Sequence, residues 1–303
     1  MNLLLTLLGP TASGKTRLAA LLAARLNGEI ISADSRQVYR GMNLGTGKDY
    51  DDYLVDGKQI PYHLVDILEP GEAYNVFRYQ RDFFKVYNEI ISRGKTAVMC
   101  GGTGMYIESV LAGYTLAEAP EDETLREFLK SKNQEQLVAY LASLRPLHNT
   151  TDTIDRERCI RAIEIATYEN ENADNHKAIP VLNPLIIGIA YERETLRQRI
   201  TQRLSDRLEY GMIAEVEALM NQGISAEKLD YYGLEYRYLS QYILGSITYD
   251  KMFSLLNTAI HQFAKRQMTW FRRMERKGFQ IHWLEGEMSL EDKVSRIMEL
   301  RAV

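Results

Sequence analysis

Gly9-Pro10-Thr11-Ala12-Ser13-Gly14-Lys15-Thr16 follows the apolar run Leu3-Leu4-Leu5-Thr6-Leu7-Leu8 and precedes a segment in which Leu18, Leu21, Leu22 and Leu26 share one helical face. The octapeptide fits GxxxxGK[ST] at every fixed position, and it sits where such a loop must sit, after a buried strand and before a helix. In that setting the loop amides and the helix N-terminus point into a concavity that accepts phosphate oxygens. Gly14 allows close backbone approach, Lys15 adds a point charge, and the Thr16 hydroxyl suits Mg²⁺. The segment therefore predicts a di- or triphosphate site built from Gly9, Pro10, Thr11, Ala12, Ser13, Gly14, Lys15 and Thr16.

Outward from this loop the chain reads as an α/β protein. Glu29 to Ser32, His63 to Leu68 and Thr96 to Cys100 read as further strands, with a helix over 75–93. This β–α–β rhythm predicts a P-loop NTPase-like parallel sheet flanked by helices. The rhythm stops near Gly113. Residues 114–182 read as polar and helical, with a turn-rich break from His148 to Asp155. Leu185 to Ala190 returns to the sheet, the rest is mostly helical, and Phe279 to Trp283 reads as a last strand. The expected organisation is a first core part over 1–113, a small helical insertion over 114–182, and a mostly helical continuation of the core over 183–303.

The 303 residues are 45% hydrophobic and 26% charged, apolar enough to bury a core, which excludes a disordered chain. The longest apolar runs fall far short of a membrane helix, and the N-terminus lacks the basic region of a signal peptide. Two cysteines, Cys100 and Cys159, cannot make a disulfide framework or a four-ligand zinc site. A cytoplasmic protein is expected. The net charge of −4 argues against a generic nucleic-acid binder, but its distribution matters more. Basic residues gather in Arg193, Arg197, Arg199, Arg203 and Arg207, and again between Lys265 and Lys277. Basic segments on an acidic chain point to a polyanionic ligand.

The strand after a P-loop in an ATPase ends in a carboxylate that holds Mg²⁺. Here Thr96 to Cys100 ends in Gly101-Gly102-Thr103 and carries no acid, and Asp66 falls inside an expected strand. Asp34 is the best-placed carboxylate, just past the second strand. A turn-forming or capping Asp is the plainer reading of the same residue.

Taken together, GPTASGKT, Asp34-Ser35-Arg36-Gln37 with the following Val38 to Lys48, Gly101-Gly102-Thr103-Gly104-Met105-Tyr106, Asp155-Arg156-Glu157-Arg158-Cys159-Ile160-Arg161-Ala162 and Lys265-Arg266-Gln267-Met268-Thr269-Trp270-Phe271-Arg272 resemble the bacterial tRNA dimethylallyltransferase family, in order and over nearly the whole chain. The resemblance implies transfer of a dimethylallyl group from dimethylallyl diphosphate to N6 of the adenosine 3′ of the anticodon, in tRNAs reading codons that begin with U. It also implies a P-loop that holds a leaving diphosphate with Mg²⁺, and the anticodon stem-loop as partner of a monomeric enzyme. Carried over by position, Asp34 resembles the general base, Ser35, Arg36 and Gln37 the contacts to the target base, and Thr103 the threonine beside it. Arg203 resembles an arginine on the diphosphate, which with Lys15 stabilises the leaving group. Arg126 and the run Arg158, Cys159, Ile160, Arg161 and Ala162 resemble tRNA contacts of the insertion. The chain departs from the family's usual Ile-Gly-Tyr-type segment at Tyr232 to Arg237 and ends the arginine motif in Ala162-Ile163-Glu164 rather than Ala-Leu-Glu.

The residues suit that chemistry. The exocyclic nitrogen of adenine is a poor nucleophile, so transfer needs a base, stabilisation of the departing diphosphate and exclusion of water. Arg158 and Arg161 share a helix face suited to a phosphate backbone, or alternatively to a salt bridge with Asp155 or Glu164. Trp270 reads as core. His63, His148, His176, His261 and His282 lack metal-ligand spacing. A small-molecule kinase and a non-catalytic P-loop RNA-binding protein are the rival readings.

Overall fold

The computed structural model describes residues 3–147, 151–172, 180 and 182–302, and divides the chain into one compact unit over 1–112 and 182–303 and a second over 113–181. In the first unit, β1 (Leu3–Leu8) is buried from Leu4 onward. It lies between β6 (Thr96–Gly101) and β7 (Asn183–Ala190), parallel to both. The full order is β5-β2-β6-β1-β7-β8, with β2 (Gly28–Ala33), β5 (Tyr62–His63) and β8 (Ile281–Glu285), and every pairing is parallel. A short hairpin of β3 (Leu54–Val55) and β4 (Lys58–Gln59) stands apart.

Sheets covered on both faces carry continuous apolar strands, and alternate residues feed opposite layers. Leu5 and Leu7 pack with Leu18 and Leu22 of α1 (Lys15–Arg25) and with Val294 and Ile297 of α13 (Leu290–Ala302). Leu4 and Leu8 face the larger core, which holds Phe83 of α2 (Val76–Ser92), Ile107 of α3 (Gly104–Leu111) and Phe271 of α12 (Tyr249–Arg276). That core extends through α8 (Arg193–Glu209), α9 (Met212–Asn221), α10 (Ala226–Tyr232) and α11 (Leu234–Ile243).

The strand order places the site. β6 sits between β1 and β2, so the loops leaving the carboxyl ends of these three neighbours converge, where parallel sheets bind their ligands. Gly101 makes the convergence tight: a Cβ there would lie 2.2 Å from the Ala33 carbonyl oxygen.

Two local expectations are corrected. The strand expected from His63 to Leu68 is only Tyr62–His63, because Leu64 (φ 61°) and Asp66 (φ 53°) turn into the left-handed region. In the expected break after His148, Thr151–Ile154 is helical; His148 itself and His176 lie outside the described residues.

The second unit packs α4 (Glu123–Lys130), α5 (Gln134–Leu144), α6 (Thr151–Ile154) and α7 (Arg156–Glu171) around Leu129, Leu137, Leu141, Cys159 and Ile163. Asp122, Asn133 and Asp155 cap three of these helices by accepting backbone N–H groups, and Asn133 with Gln136 forms a capping box.

Candidate active site

The loop from Gly9 to Thr16 wraps into the N-terminus of α1, with Gly14 at the cap in left-handed conformation (φ 74°) and Ala12 also at positive φ (61°). Lys15 folds back to donate from Nζ to the Pro10 carbonyl at 3.2 Å. Burial lowers the Lys15 ammonium below its ordinary value, against the pull of Asp34. The Ser13 hydroxyl is buried beside the cavity without a hydrogen-bond partner among the described residues. A buried hydroxyl of the phosphate loop left without a partner is one that a phosphate oxygen would satisfy. Cys100 closes the floor; burial pushes its thiol up to about 12, so it stays neutral beside Lys15 and Thr16.

Asp34, Ser35, Arg36, Gln37 and Thr103 form the facing wall of the same open cavity, about 910 Å³ in volume. Asp34 Oδ1 accepts the Arg36 N–H at 2.9 Å, and Oδ2 carries no hydrogen bond among the described residues. Thr103 Oγ1 accepts the Ser35 N–H at 3.0 Å, tying the Asp34 turn to the start of α3. Gln37 is held on both sides. Its Nε2 donates to the Gly47 carbonyl at 3.1 Å, and its Oε1 accepts from Ser32 at 3.2 Å. The second Nε2 hydrogen and the second Oε1 lone pair remain for a base, so these two bonds orient the amide without consuming it.

The third wall is α8. Arg203 Nη1 donates to Thr11 Oγ1 at 3.3 Å, which puts its guanidinium at the phosphate loop. Arg199 and Arg207, one turn to either side, were not singled out from the basic series. Arg199 donates to the Ala12 carbonyl at 3.0 Å, and Arg207 shares the Asp49 carboxylate with Arg203. Burial alone would raise Asp49, but the two guanidiniums outweigh it and hold the carboxyl below its ordinary range.

Two anchoring residues were given no role by the sequence, although Gln267 lies within one of the quoted motifs. Gln267 of α12 accepts the Thr11 N–H at 2.8 Å and donates to the Gly102 carbonyl at 3.0 Å, so one buried amide joins the phosphate loop to the Thr103 loop. Glu215 of α9 accepts three successive amides, from Asn43, Leu44 and Gly45 at 2.9, 2.7 and 3.0 Å, and the Tyr236 hydroxyl at 2.9 Å. It thereby fixes the loop that carries Gly47 and Asp49. Trp270, expected as core, is only partly buried and lines the cavity beside Gly104.

In the helical unit, the run read as tRNA contacts divides. Cys159, Ile160 and Ala162 are 0%, 5% and 4% exposed and belong to that unit's core, so their side chains pack inward and do not reach RNA. Arg126 and Arg161 both bind Glu164, whose side chain is 1% exposed. Arg126 does so from Nε and Nη2 at 2.7 and 3.1 Å, and Arg161 also donates to the Ala119 and Pro120 carbonyls. These two arginines neutralise a buried acid, the salt-bridge reading of the motif. Arg158 is exposed.

Mg²⁺ prefers oxygen donors and usually keeps one or two protein ligands beside substrate phosphates. The Thr16 hydroxyl, with the Asp52 carboxylate lining the same cavity, offers donors of that kind.

Residues 37–274 match the IPP transferase family. The chain is 55% identical over 296 residues to tRNA dimethylallyltransferase 2 of Bacteroides fragilis, covering 98% of this chain and 97% of that protein. The crystal structure of the full-length tRNA isopentenylpyrophosphate transferase from Bacillus halodurans is 31% identical and superposes with a TM-score of 0.72, covering 100% of this chain and 96% of that one. A eukaryotic dimethylallyltransferase acting on tRNA, 23% identical, shares the fold with a TM-score of 0.78 over 94% of this chain and 74% of that one. With the phosphate loop, the Asp34 turn and the α8 arginines on one cavity, this chain is a member of the IPP transferase family.

Proposed function

We propose that the protein transfers a dimethylallyl group from dimethylallyl diphosphate to N6 of a tRNA adenosine, the one immediately 3′ of the anticodon in tRNAs reading codons that begin with U. The observation that carries the reading is the facing of two walls across one cavity. A cationic cradle with an orphaned Ser13 hydroxyl lies on one side, and Asp34 with a free carboxylate oxygen on the other. A small-molecule kinase pairs a phosphate loop with an Asp in the same way, and membership of the IPP transferase family favours prenyl transfer over it.

In this reading the chain contributes four things. The loop amides, Lys15 and Arg203 bind the diphosphate and take up the charge that develops as the C1–O bond breaks. Thr16 would hold Mg²⁺, which supplies further charge neutralisation on the phosphate oxygens. The N6 lone pair forms the new bond to C1, and the N6 proton passes to Asp34 Oδ2. The open cavity admits a base drawn out of its stack, and the bound base and prenyl chain together keep water from the allylic carbon. The reading includes a monomeric enzyme that acts on tRNA in the cytoplasm. No helix among the described residues is long and apolar enough to cross a membrane.

The test is incubation of protein, tRNA and labelled dimethylallyl diphosphate, followed by digestion to nucleosides and mapping of the label. The expected product is one N6-dimethylallyl adenosine at the anticodon-adjacent position. Label at another nucleotide would refute the position, and no label in RNA would refute the reading.

A further inference from the structure

Arg36 and Tyr231 make a fixed pair at the rim of the cavity, and Tyr231 has no part in the chemistry above. Arg36 follows Asp34 by two residues and lines the cavity; its guanidinium carbon lies 5.1 Å from the centroid of the Tyr231 ring. Tyr231 lies in the last turn of α10, next to its final residue Tyr232, which is buried edge-on against Tyr39 with ring centroids 4.8 Å apart. The Tyr231 ring in turn stands edge-on to Tyr232, 5.5 Å between centroids. Rigid aromatics thus hold it in place, yet it is 52% exposed.

An ordered aromatic ring facing water at the mouth of a polyanion site is a surface on which a nucleic-acid base can stack, alone or beside an arginine plane. Drawing an adenosine into the cavity strips its neighbours in the loop of a stacking partner. The nearest of them is left at the rim, two residues from the base that takes the N6 proton. We infer that the Arg36–Tyr231 pair is the stacking platform for a nucleotide adjacent to the acceptor adenosine, which makes Tyr231 a specificity-determining residue for the RNA. This inference rests on the proposed tRNA prenylation.

The test uses a short anticodon stem-loop RNA in three forms: intact, abasic 5′ of the acceptor, and abasic 3′ of it. Wild type, Tyr231→Ala and Tyr231→Phe are compared with labelled dimethylallyl diphosphate. Tyr231→Ala should lower kcat/KM for intact RNA by roughly 10–100-fold, the range expected of one base–aromatic stack. Tyr231→Phe should recover most of it. Affinity for inorganic pyrophosphate should not move, which separates lost stacking from a collapsed site. One abasic RNA should cost wild type about as much as Tyr231→Ala does and cost Tyr231→Ala little more. Losses that multiply at both neighbours, or a Tyr231→Ala enzyme equal to wild type, would overturn the platform. Failure of wild type to modify intact RNA would instead remove the proposed function beneath it.

Discussion

In the proposed reaction Asp34 is the general base, and its two oxygens have different tasks. Oδ1 accepts the Arg36 amide and holds the turn, and Oδ2 would take the substrate proton. Asp34→Asn keeps an acceptor for that amide and removes the basic oxygen. Single-turnover prenyl transfer should then fall by roughly 10²–10⁴-fold, the usual worth of a positioned general base. Pyrophosphate affinity, measured on the same variant, should survive because the cradle is intact. A purely structural Asp predicts a near-normal rate, since Asn caps almost as well; activity within about three-fold of wild type would remove Asp34 as the base. In the helical unit the two motif arginines part company. Arg158→Ala should reduce the slope of log affinity for tRNA against log salt by about one and leave stability unchanged. Arg161→Ala uncovers the buried Glu164 carboxylate, with Arg126 left to hold it, and should lower the melting temperature of the protein. An equal salt slope for both variants would contradict that division.

At the scale of elements, the loop from Asn43 to Asp49 is held from outside itself. Glu215 accepts its three leading amides, while at its far end Gly47 engages Gln37 and Asp49 engages Arg203 and Arg207. Glu215→Gln puts an NH₂ where a backbone donor needs an acceptor, so the loop should loosen and the arginine pair with it. The expected result is pyrophosphate affinity weakened about tenfold or more, on the scale of a hydrogen bond to a charged group left unmade. Titration calorimetry of wild type and variant checks this, and equal affinities would contradict it. Such anchoring explains what was and was not legible in the sequence. The strand before the phosphate loop, the loop and Asp34 are local in sequence and could be read directly. Gln267 meets Thr11 across 256 positions, and Glu215 meets Leu44 across 171, so no spacing announces either. The α8 arginines lie between these cases. Their four-residue spacing was readable, but which of them reach the cavity depends on how the helix crosses the sheet.

For the molecule as a whole, acid stability has an identifiable source at the sheet edge. Burial would raise Glu29, yet hydrogen bonds from Lys95, His63 and Arg93 outweigh it and hold the carboxyl at about 2, below the ordinary 4.5. A carboxyl lowered in the folded state stabilises it fully above the unfolded value and loses that contribution as the pH falls toward the folded one. Glu29→Gln should therefore lower the melting temperature at neutral pH and flatten its decline between about pH 4.5 and 2; parallel melting curves for the two proteins would contradict this. The parallel sheet was legible in the βαβ rhythm, whereas its strand order and the shortness of β5 were not: Leu64 and Asp66 take left-handed conformations that their residue types do not signal. The central claim is that this phosphate loop serves a leaving diphosphate on one wall while a tRNA adenosine is deprotonated on the other. It is tested most directly by following pyrophosphate release and label incorporation together, with tRNA present and absent, alongside ATP. The account predicts one pyrophosphate released per dimethylallyl group fixed at N6, release that depends on tRNA, and ATP hydrolysis at background; robust ATP turnover indifferent to tRNA would contradict it.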